Sequence, residues 1–423
     1  MRVQLPPELY ADIVDALCDS QSLMACSRSA SVFRYPCQKR LYSQLDIGPG
    51  RHFAQAGFKS FSAFHAHLVS FPHLARLCTA LTIQLPANQT VWALEQSFAE
   101  RVLLRLVNLH GLTLRYKFGR PAETPGTFVV GVVRWWVDGF QTHPQLKKLT
   151  LSSFDITESL FTHCLGMARQ LEFRSVRLEP EVPEEERIVA PTSTPPPPTK
   201  QLTKLLFANS RTLVSQLVQP SFAHYLQHVT ELSYSYVVHQ DSPALRLCSL
   251  LAPTLERLDC SFISHQDIDA ILPASLPCLR ELRLEVESLN LSPVLIRLIA
   301  ARGAPALVTL RLYLNLDPVG SRQKSLESVF DDQSEHFAAL DDALAAHPTL
   351  RLVDWFVSLV YDMDDYDSDE VERSGMPSGE YMAAVWEKAT VDTLAAFRAG
   401  LIKRFPKAHA RRLLLIDGKG QVV

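Results

Sequence analysis

Glycine is scarce in this sequence, with 16 residues among 423. No Walker-type or dinucleotide-type glycine loop occurs, so little of the backbone is free to cradle a phosphate group. The Gly-x-Ser-x-Gly elbow of many hydrolases and the His-Glu-x-x-His pair of zinc proteases are missing as well. We therefore expect a protein that is not an enzyme and that carries no cofactor.

A basic excess and a long apolar run are also missing. The net charge is −3 and the isoelectric point is about 6.5, which argues against nucleic-acid binding. The most apolar segment, Phe128 to Val137, is interrupted by Arg134 and is too short to cross a bilayer. No basic stretch followed by an apolar one opens the sequence, so we expect neither a signal peptide nor a membrane association.

Eight cysteines are scattered without a Cys-x-x-Cys pair or zinc-finger spacing. Buried, reduced thiols of a cytoplasmic or nuclear protein account for such a distribution. Acid pairs such as Asp341–Asp342 are adjacent on a predicted helix, where neighbouring side chains point about 100° apart. We interpret them as part of a solvated helix face rather than as a paired catalytic or metal site.

Residues 5–45 carry the strongest run of local helix signals in the chain. Two prolines, of which Pro6 is the first, suit the first turn of a helix because their φ angle is already helical and an N–H group is not needed there. Leu9, Ile13 and Leu17 then recur at helical spacing and form one apolar stripe. The pattern predicts an amphipathic first helix.

Two further short helices are predicted after the first. Ser22 suits the cap of a second helix that carries Leu23, and Pro36 suits the first position of a third helix that carries Leu41 and Leu45. Three helices in such a short stretch are near the lower limit for an independent core. We therefore expect this head to lean on a partner or on the rest of its own chain.

One ordered series of residues in the head is Leu5-Pro6-x-Glu8-Leu9 followed by Ile13, Leu17, Leu23, Phe33 and Leu41. This series resembles an F-box, a three-helix module that docks on the small adaptor subunit of SCF-type cullin-RING ubiquitin ligases. The resemblance implies an adaptor-binding surface that is formed or supported by Leu5, Pro6, Leu9, Ile13, Leu17 and Leu23. The alternative is an amphipathic helical hairpin that packs on its own domain.

A short motif recurs through the rest of the chain. It has the form apolar-x-x-apolar-x-apolar, and its last two apolar residues alternate with a polar one, which is typical of a half-buried strand. The copies begin at Leu109, Leu146, Leu255, Leu279 and Leu307, and weaker ones at Cys78, Ala168, Val229, Leu350 and Ala410. Each copy predicts one β-strand.

Helical periodicity fills the intervals between these strands. The predicted helices span 90–107, 127–141, 156–166, 201–227, 242–252, 265–272, 292–302, 322–346 and 378–404. Successive strands lie 22 to 61 residues apart, and the shorter steps are in the range of leucine-rich repeats. One strand and one helix per repeat predict a parallel sheet with helices on its outer side.

This pattern is similar to that of divergent leucine-rich repeats, which often follow an F-box. The resemblance implies an α/β protein with an N-terminal three-helix F-box-like module at 1–47, a connecting loop and helix at 48–73, and an irregular leucine-rich-repeat-like solenoid at 74–423. Its parallel sheet would lie on the concave face. A doubly wound α/β domain would show the same alternation of strand and helix. The short steps and the missing glycine loop favour the solenoid.

Two polar stretches interrupt the pattern, and we expect both to be disordered insertions. Residues 179–200 contain five glutamates and seven prolines, a composition that cannot form a core. The prolines from Pro195 to Pro198 suit an SH3 or WW domain, although a solvated spacer explains them better. Residues 361–377 include seven acids within eleven residues, but their spacing does not fit a calcium loop.

The middle residue of each apolar-x-apolar pair points away from the core, because strand side chains alternate between the two faces of a sheet. These residues and their neighbours two positions on line one open face. The row of middle residues is Thr82, Thr113, Thr150, Glu172, Ser233, Asp259, Arg283, Arg311 and Asp354. We predict a partner-binding surface on this face that includes Arg115, Glu172, Arg174, Asp259, Arg283, Glu285, Arg311, Tyr313, Asp354 and Phe356. A solvated sheet face is the alternative.

The family resemblance implies a substrate-recognition subunit of an SCF-type ligase. Its head would bind the ligase adaptor and, through it, the cullin, and its repeats would hold a protein target of unknown identity. The chain would do no chemistry, but would raise the effective concentration of a target lysine near the conjugating enzyme. The alternative function is a leucine-rich-repeat interaction scaffold without a ligase role, in which the head caps the first repeat.

Overall fold

The computed structural model describes most of the chain, which divides into two compact units, Met1–Leu202 and Thr203–Val423. The described residues are 6–17, 19–48, 56–85, 89–116, 131–136, 139, 145–179, 201–235, 243–263, 268, 271–286, 293–300, 302–316, 334–361 and 378–422. Each unit combines helices with parallel β-strands, so the α/β class is confirmed. Leu5 and nearly all of the two expected insertions lie outside the described residues.

The first unit begins with three helices of 9 to 13 residues: α1 (Pro7–Asp15), α2 (Ser20–Ser29) and α3 (Ser31–Ser43). They enclose a small core of Val14, Leu23, Cys37 and Leu41. None of these four side chains is more than 6% exposed. The head therefore has its own apolar centre, although it is a small one.

Two details of these helices differ from the expectation. Asp19, not Ser22, caps α2, because its Oδ1 atom accepts a hydrogen bond from the Ser22 N–H group at 2.7 Å. Pro36 lies inside α3 rather than at its start. A proline beyond the first turn removes one helical hydrogen bond, and α3 tolerates that loss.

Six strands form the parallel sheet of the first unit. They are β1 (Gln44–Ile47), β2 (Ala56–Phe58), β3 (Ala80–Gln84), β4 (Gly111–Arg115), β5 (Lys148–Ser152) and β7 (Gln170–Arg174). Their order in space is β2-β1-β3-β4-β5-β7. A separate parallel pair joins β6 (Asp155–Ile156) and β8 (Arg177–Leu178). The sequence predicted the end of the third helix where β1 lies and a loop where β2 lies. Both strands were missed because neither carries a copy of the repeated motif.

Helices join these strands along the chain. They are α4 (Phe61–Ser70), α5 (Gln89–Leu103) and α6 (Glu158–Leu165), together with a 3₁₀ turn at Pro72–Arg76 and a helical stretch at 131–136. Ser60 caps α4 through its side-chain oxygen, which accepts the Ala63 N–H group. This helix is the aromatic-rich connection that the sequence predicts.

The described residues of the second unit form seven parallel strands in sequential order. They are β9 (Lys204–Ala208), β10 (Glu231–Ser235), β11 (Arg257–Ile263), β12 (Glu281–Val286), β13 (Thr309–Leu316), β14 (Leu352–Tyr361) and β15 (Leu414–Val422). The helices are α7 (Arg211–Leu217), α8 (Ala223–Leu226), α9 (Pro243–Leu251), α10 (Pro293–Ile299), α11 (Ser334–Ala346), α12 (Ser378–Arg404) and α13 (Pro406–Ala410). A doubly wound sheet reverses its strand order at a switch point, and the described strands of this unit show no reversal.

The repeated motif builds the core by aligning equivalent residues across neighbouring strands. In the second unit the aligned residues are Leu205, Leu232, Leu258, Leu282, Leu310 and Val353. None of them is more than 2% exposed. Full burial of one leucine side chain contributes roughly 1.5–3 kcal/mol, so each copy of the motif adds a similar increment to the core.

The predicted helix at 201–227 is wrong in its first part, where the structure has strand β9. Leu205, Leu206 and Phe207 form a short apolar run that local periodicity alone cannot assign. Pairing with β10 decides the outcome, since Leu205 aligns with Leu232. The strand also divides the longest predicted interval between two strands.

The last strand is shifted by one residue from the motif. Arg412 has a positive φ of 56°, and Leu414 rather than Leu413 pairs with Val353. Leu415 consequently aligns with Asp354 and is 51% exposed, although the motif placed it in the core. A shift of one residue moves every side chain of a strand to the opposite face.

The interpretation of Asp341–Asp342 as one solvated helix face is wrong for the first of the two residues. Asp341 is 3% exposed, and its carboxylate oxygens accept the N–H groups of Lys407 and Ala408 at 3.0 and 2.8 Å. Asp342 is exposed and pairs with the Lys407 side chain. Neighbouring helix positions point in different directions, so adjacent acids meet different surroundings.

Candidate functional site

The predicted adaptor-binding residues divide into two groups in the structure. Leu9 and Ile13 lie one turn apart on α1 and are 43% and 42% exposed, and Pro6 just before them is exposed as well. Leu17 packs against the helical core, and Leu23 is fully buried within it. The first group presents apolar surface, whereas the second supports the module.

Val14, which is not part of the predicted apolar stripe, is the residue of α1 that enters the helical core, while Ile13 beside it stays exposed. Val14 is 2% exposed, and its carbonyl oxygen accepts a hydrogen bond from the Arg40 Nη1 atom of α3 at 2.8 Å. Val14 and Ile13 are adjacent apolar residues, so the sequence signal was present but ambiguous. The packing of α1 against α3 decides which of the two faces inward.

The third helix connects the head to the rest of the first unit. The Tyr42 hydroxyl lies 3.1 Å from His67 Nε2, and the two rings stack with centroids 5.7 Å apart. The Ser43 carbonyl accepts the Thr79 N–H group at 2.9 Å, just before β3. The face of α3 that contacts the first unit is therefore occupied, while Leu9 and Ile13 on α1 stay exposed.

A buried carboxylate lies on the open face of the first sheet. Glu172 is 5% exposed and contacts Thr150 at 3.0 Å and Lys148 Nζ at 2.7 Å, and it also pairs with Arg174. Burial by itself would raise the pKa of Glu172, but the hydrogen bonds from Lys148 and Arg174 outweigh it and the net pKa is lowered. Thr150 and Glu172 lie in the predicted row on this face, but neighbouring side chains cover them, so the alternative of a solvated face does not apply to these two residues.

Arg115, another predicted partner-binding residue, lies in the adjacent row of the same sheet. It aligns with Ser152 on β5, which in turn aligns with Arg174 on β7. Arg115 and Arg174 are thus two strands apart and flank Ser152. The first unit therefore carries basic side chains around one buried acid.

The predicted residues of the second unit come together on one face. Ser233, Asp259, Arg283, Arg311 and Asp354 align in register across five consecutive strands. A second row lies two residues earlier on the same face and consists of Lys204, Glu231, Arg257 and Glu281. We call the charged face the set of Lys204, Glu231, Arg257, Asp259, Glu281, Arg283, Arg311 and Asp354.

Ion pairs run along the charged face from strand to strand. Lys204 Nζ contacts Glu231 at 2.9 Å, and Arg257 contacts Glu231 at 3.4 Å and Glu281 at 3.5 Å. Arg311 Nη1 contacts Glu281 at 3.2 Å. Each of these carboxylates lies between two basic side chains, so the acids are well supplied with donors.

Two arginines of the charged face are held more loosely. Arg283 Nε lies 3.6 Å from Asp259, and Arg311 Nε lies 3.8 Å from Asp354, both beyond hydrogen-bond distance. The Arg283 guanidinium stacks on the Tyr313 ring at 4.2 Å from its centroid. These contacts leave the Nε–H groups of both arginines without a hydrogen-bond acceptor, although Arg311 Nη1 contacts Glu281.

The remaining predicted residues border the charged face on one side. Glu285, Tyr313 and Phe356 align in register on β12, β13 and β14. The Tyr313 and Phe356 rings have centroids 5.3 Å apart and are partly exposed. An aromatic pair therefore lies beside Arg283.

Asp259 and Asp354, the two acids of the middle row, both have pKa values above the ordinary value of aspartate. Burial raises the pKa of Asp259 above its ordinary value, and Arg283 lowers it only in part. Burial likewise raises the pKa of Asp354, with Arg311 opposing and Asp417 adding to the rise. A long ion pair does not compensate fully for lost hydration.

The row of Lys204, Glu231, Arg257 and Glu281 was missed by the sequence analysis. Its signal was present, because residues two positions apart on a strand share a face and the charges alternate in sign from one strand to the next. Lys204 was hidden in a predicted helix. Glu231, Arg257 and Glu281 each come directly before the first strand leucine of the motif. The predicted partner-binding surface included only residues after that leucine.

Within the described ranges, no group of three or more His, Cys, Asp or Glu side chains is placed to hold a metal ion. None of the helices in that part of the chain combines the length and apolar character of a membrane span. Its cysteines are free thiols, and burial raises the pKa of Cys248 to about 12, which makes this thiol unreactive.

No protein-family model matches the chain, and no curated protein matches it in sequence. What this protein does is therefore inferred from its residues and their contacts.

Proposed function

We propose that this protein is the non-catalytic substrate-recognition subunit of an SCF-type cullin-RING ubiquitin ligase. The three-helix head docks on the ligase adaptor, which links it to the cullin. The leucine-rich-repeat-like strands present a second surface that holds a protein target. The chain acts by proximity and leaves the transfer of ubiquitin to other subunits.

The observation that carries the proposal is the exposed apolar stripe of α1. Leu9 and Ile13 are both more than two fifths exposed although the head has its own core, and Met24 on α2 is 41% exposed. Apolar surface on a small helical module is typical of an interaction site. The F-box-like series of residues in the same helices indicates the kind of partner, which is the ligase adaptor.

A scaffold without a ligase role is the second candidate, and the contacts of α3 favour it. The Tyr42 ring stacks on His67 of α4, and the Thr79 N–H group just before β3 donates to the Ser43 carbonyl; both contacts attach the head to the elements that follow it, as a cap requires. Capping by α3 and docking by α1 use different faces, so the two roles are compatible. Only binding to the adaptor separates the two functions.

Co-purification with the ligase adaptor tests the proposal. The full chain is compared with a double variant, Leu9→Ala and Ile13→Ala, which removes exposed apolar surface and leaves Val14 in the core. We expect the native chain to capture the adaptor. The variant should bind it about tenfold more weakly or worse, because the loss of two apolar contacts should cost at least about 1.4 kcal/mol, which corresponds to tenfold in affinity. Circular dichroism should show unchanged helix content.

The matched control is Val91→Ala with Leu94→Ala on α5, where the native side chains are 46% and 70% exposed. This pair removes similar apolar surface from another helix and should leave capture unchanged. If the folded native chain captures no adaptor, the ligase role is rejected and the capped scaffold remains.

A further inference from the structure

Arg283 has hydrogen-bond donors that the charged face leaves unused. It donates no hydrogen bond within the described residues, and its carboxylate neighbour Asp259 lies 3.6 Å away. The Nε atoms of Arg283 and Arg311 are buried without a hydrogen-bond partner, so a ligand cannot reach them. The Arg283 side chain is 37% exposed, and its terminal N–H groups are therefore suited to an acceptor from outside the chain.

A depression in the charged face gives such an acceptor a place to bind. Its volume is about 160 Å³, and it is lined by seven charged side chains, Lys204, Glu231, Arg257, Asp259, Glu281, Arg283 and Arg311. Drug-sized ligands and cofactors need pockets of roughly 300–1,000 Å³. The depression therefore fits the head group of one side chain rather than a whole small molecule.

The charge of the depression selects the kind of head group. Four basic and three acidic side chains line it, and the fourth acid of the charged face, Asp354, faces Arg311 at 3.8 Å from outside the lining. Because three acids border the depression, a carboxylate with its single charge meets less repulsion there than a dianionic phosphate. The flat edge of a carboxylate also matches the planar fork of a guanidinium.

Neighbouring side chains supply orientation and an apolar contact. The Tyr313 ring supports the Arg283 guanidinium from one side at 4.2 Å, which holds the plane of the fork in place. Phe356 extends the same aromatic surface at 5.3 Å from Tyr313. An apolar side chain next to the bound carboxylate would rest on these two rings.

We propose that the depression binds a carboxylate side chain of an acidic protein segment, while an apolar side chain of that segment packs on Tyr313 and Phe356. This assignment deepens the target-binding arm of the proposed function and names the chemistry of the target. The peptide assay below needs no ligase adaptor. Failure of this assignment and failure of adaptor docking are therefore seen in separate experiments.

Fluorescence anisotropy with the full chain and a labelled peptide of glutamate and leucine tests the assignment. Binding should be detectable at low salt and should weaken as salt is added. The double variant Arg283→Gln and Arg311→Gln should weaken binding by about tenfold or more, because charge-assisted hydrogen bonds are lost. Arg283→Lys keeps the charge but loses the planar fork, and it should weaken binding as well.

Arg297→Gln is the matched control, because Arg297 is an exposed arginine on α10 and lies outside the charged face. It should bind the peptide as the native chain does. Thermal unfolding checks the fold of each variant, and the lysine variant decides the matter if the double variant does not fold. The assignment is overturned if the native chain does not bind the peptide, if Arg297→Gln weakens binding equally, or if a phosphoserine–leucine peptide or an oligonucleotide binds more tightly.

Discussion

Asp341 shows how one residue joins two distant parts of the second unit. Its two carboxylate oxygens accept the N–H groups of Lys407 and Ala408, at the start of α13. Those N–H groups have no partner within their own helix, because the first turn of a helix leaves its donors unsatisfied. The side chain is buried, so water cannot replace it.

We predict that Asp341→Ala lowers the free energy of unfolding by about 1–3 kcal/mol, since two buried donors lose their acceptor. The adjacent Asp342→Ala removes an equal charge from an exposed position and should leave the urea midpoint unchanged. Urea denaturation of the full chain measures both. Equal effects of the two substitutions would show that Asp341 acts by charge and not as a cap.

His347 shows the same dependence on distant partners. It is 1% exposed, and its Nδ1 atom accepts the Leu350 N–H group at 3.2 Å, so in the neutral ring the proton lies on Nε2. The Nε2 atom then donates to the Ala304 carbonyl at 3.0 Å. Burial lowers the pKa of His347, which keeps the ring neutral, and the two hydrogen bonds select this tautomer.

At the scale of elements, the end of β1 depends on one glycine. Gly48 has a φ of +145°, and a Cβ atom built there would lie 2.5 Å from the Gln84 Cβ atom of β3. Gly111 at the start of β4 is different, because its nearest neighbour would be the Ala80 Cβ atom at 3.6 Å, an ordinary contact. The two glycines therefore have different roles in the same sheet.

We predict that Gly48→Ala destabilises the protein by about 1–3 kcal/mol, because an alanine is strained at this φ angle and also meets Gln84. Gly111→Ala should be neutral or slightly stabilising, since it only restricts the unfolded chain. Thermal unfolding of the two variants beside the native chain measures the contrast. A harmless Gly48→Ala would mean that β1 shifts to accommodate the methyl group.

At the scale of the whole molecule, the two units carry acids of opposite behaviour on their sheet faces. The pKa of Glu172 in the first unit is lowered, whereas burial raises the pKa of Asp259 in the second. The stabilisation from Glu172 is fully present above the ordinary pKa of glutamate and is lost as the pH falls through the lowered value. The charged form of Asp259 instead opposes folding, and protonation relieves this as the pH falls through the raised value.

We predict that Glu172→Gln lowers the melting temperature at pH 7 and that this loss shrinks as the pH falls below about 4.5, the ordinary pKa of glutamate. Asp259→Asn should not lower the melting temperature at pH 7, and its difference from the native chain should vanish in acid. Calorimetry of both variants between neutral and acidic pH measures the two slopes. Slopes of the same sign would contradict the opposite shifts.

Local periodicity in the sequence is enough to predict several features of this protein. The head helices follow from the proline at position 6 and the apolar spacing of Leu9 and Leu17, and the strands of the repeated motif follow from apolar alternation. The alignment of Asp259, Arg283 and Arg311 on one face was also predictable, because side chains alternate along every strand. These features depend on neighbours a few residues away.

Contacts between residues far apart in the sequence select which of several locally equivalent residues takes a given place. Strand β9 was missed because its apolar run fits a helix until β10 pairs with it. Val14 rather than Ile13 enters the head core because α3 packs there, and Glu172 is buried by side chains from other strands. The contacts of Asp341 join residues 66 and 67 positions apart, a separation that no local pattern encodes. Such choices are made by packing and by long-range hydrogen bonds, whose partners become neighbours only when the chain folds.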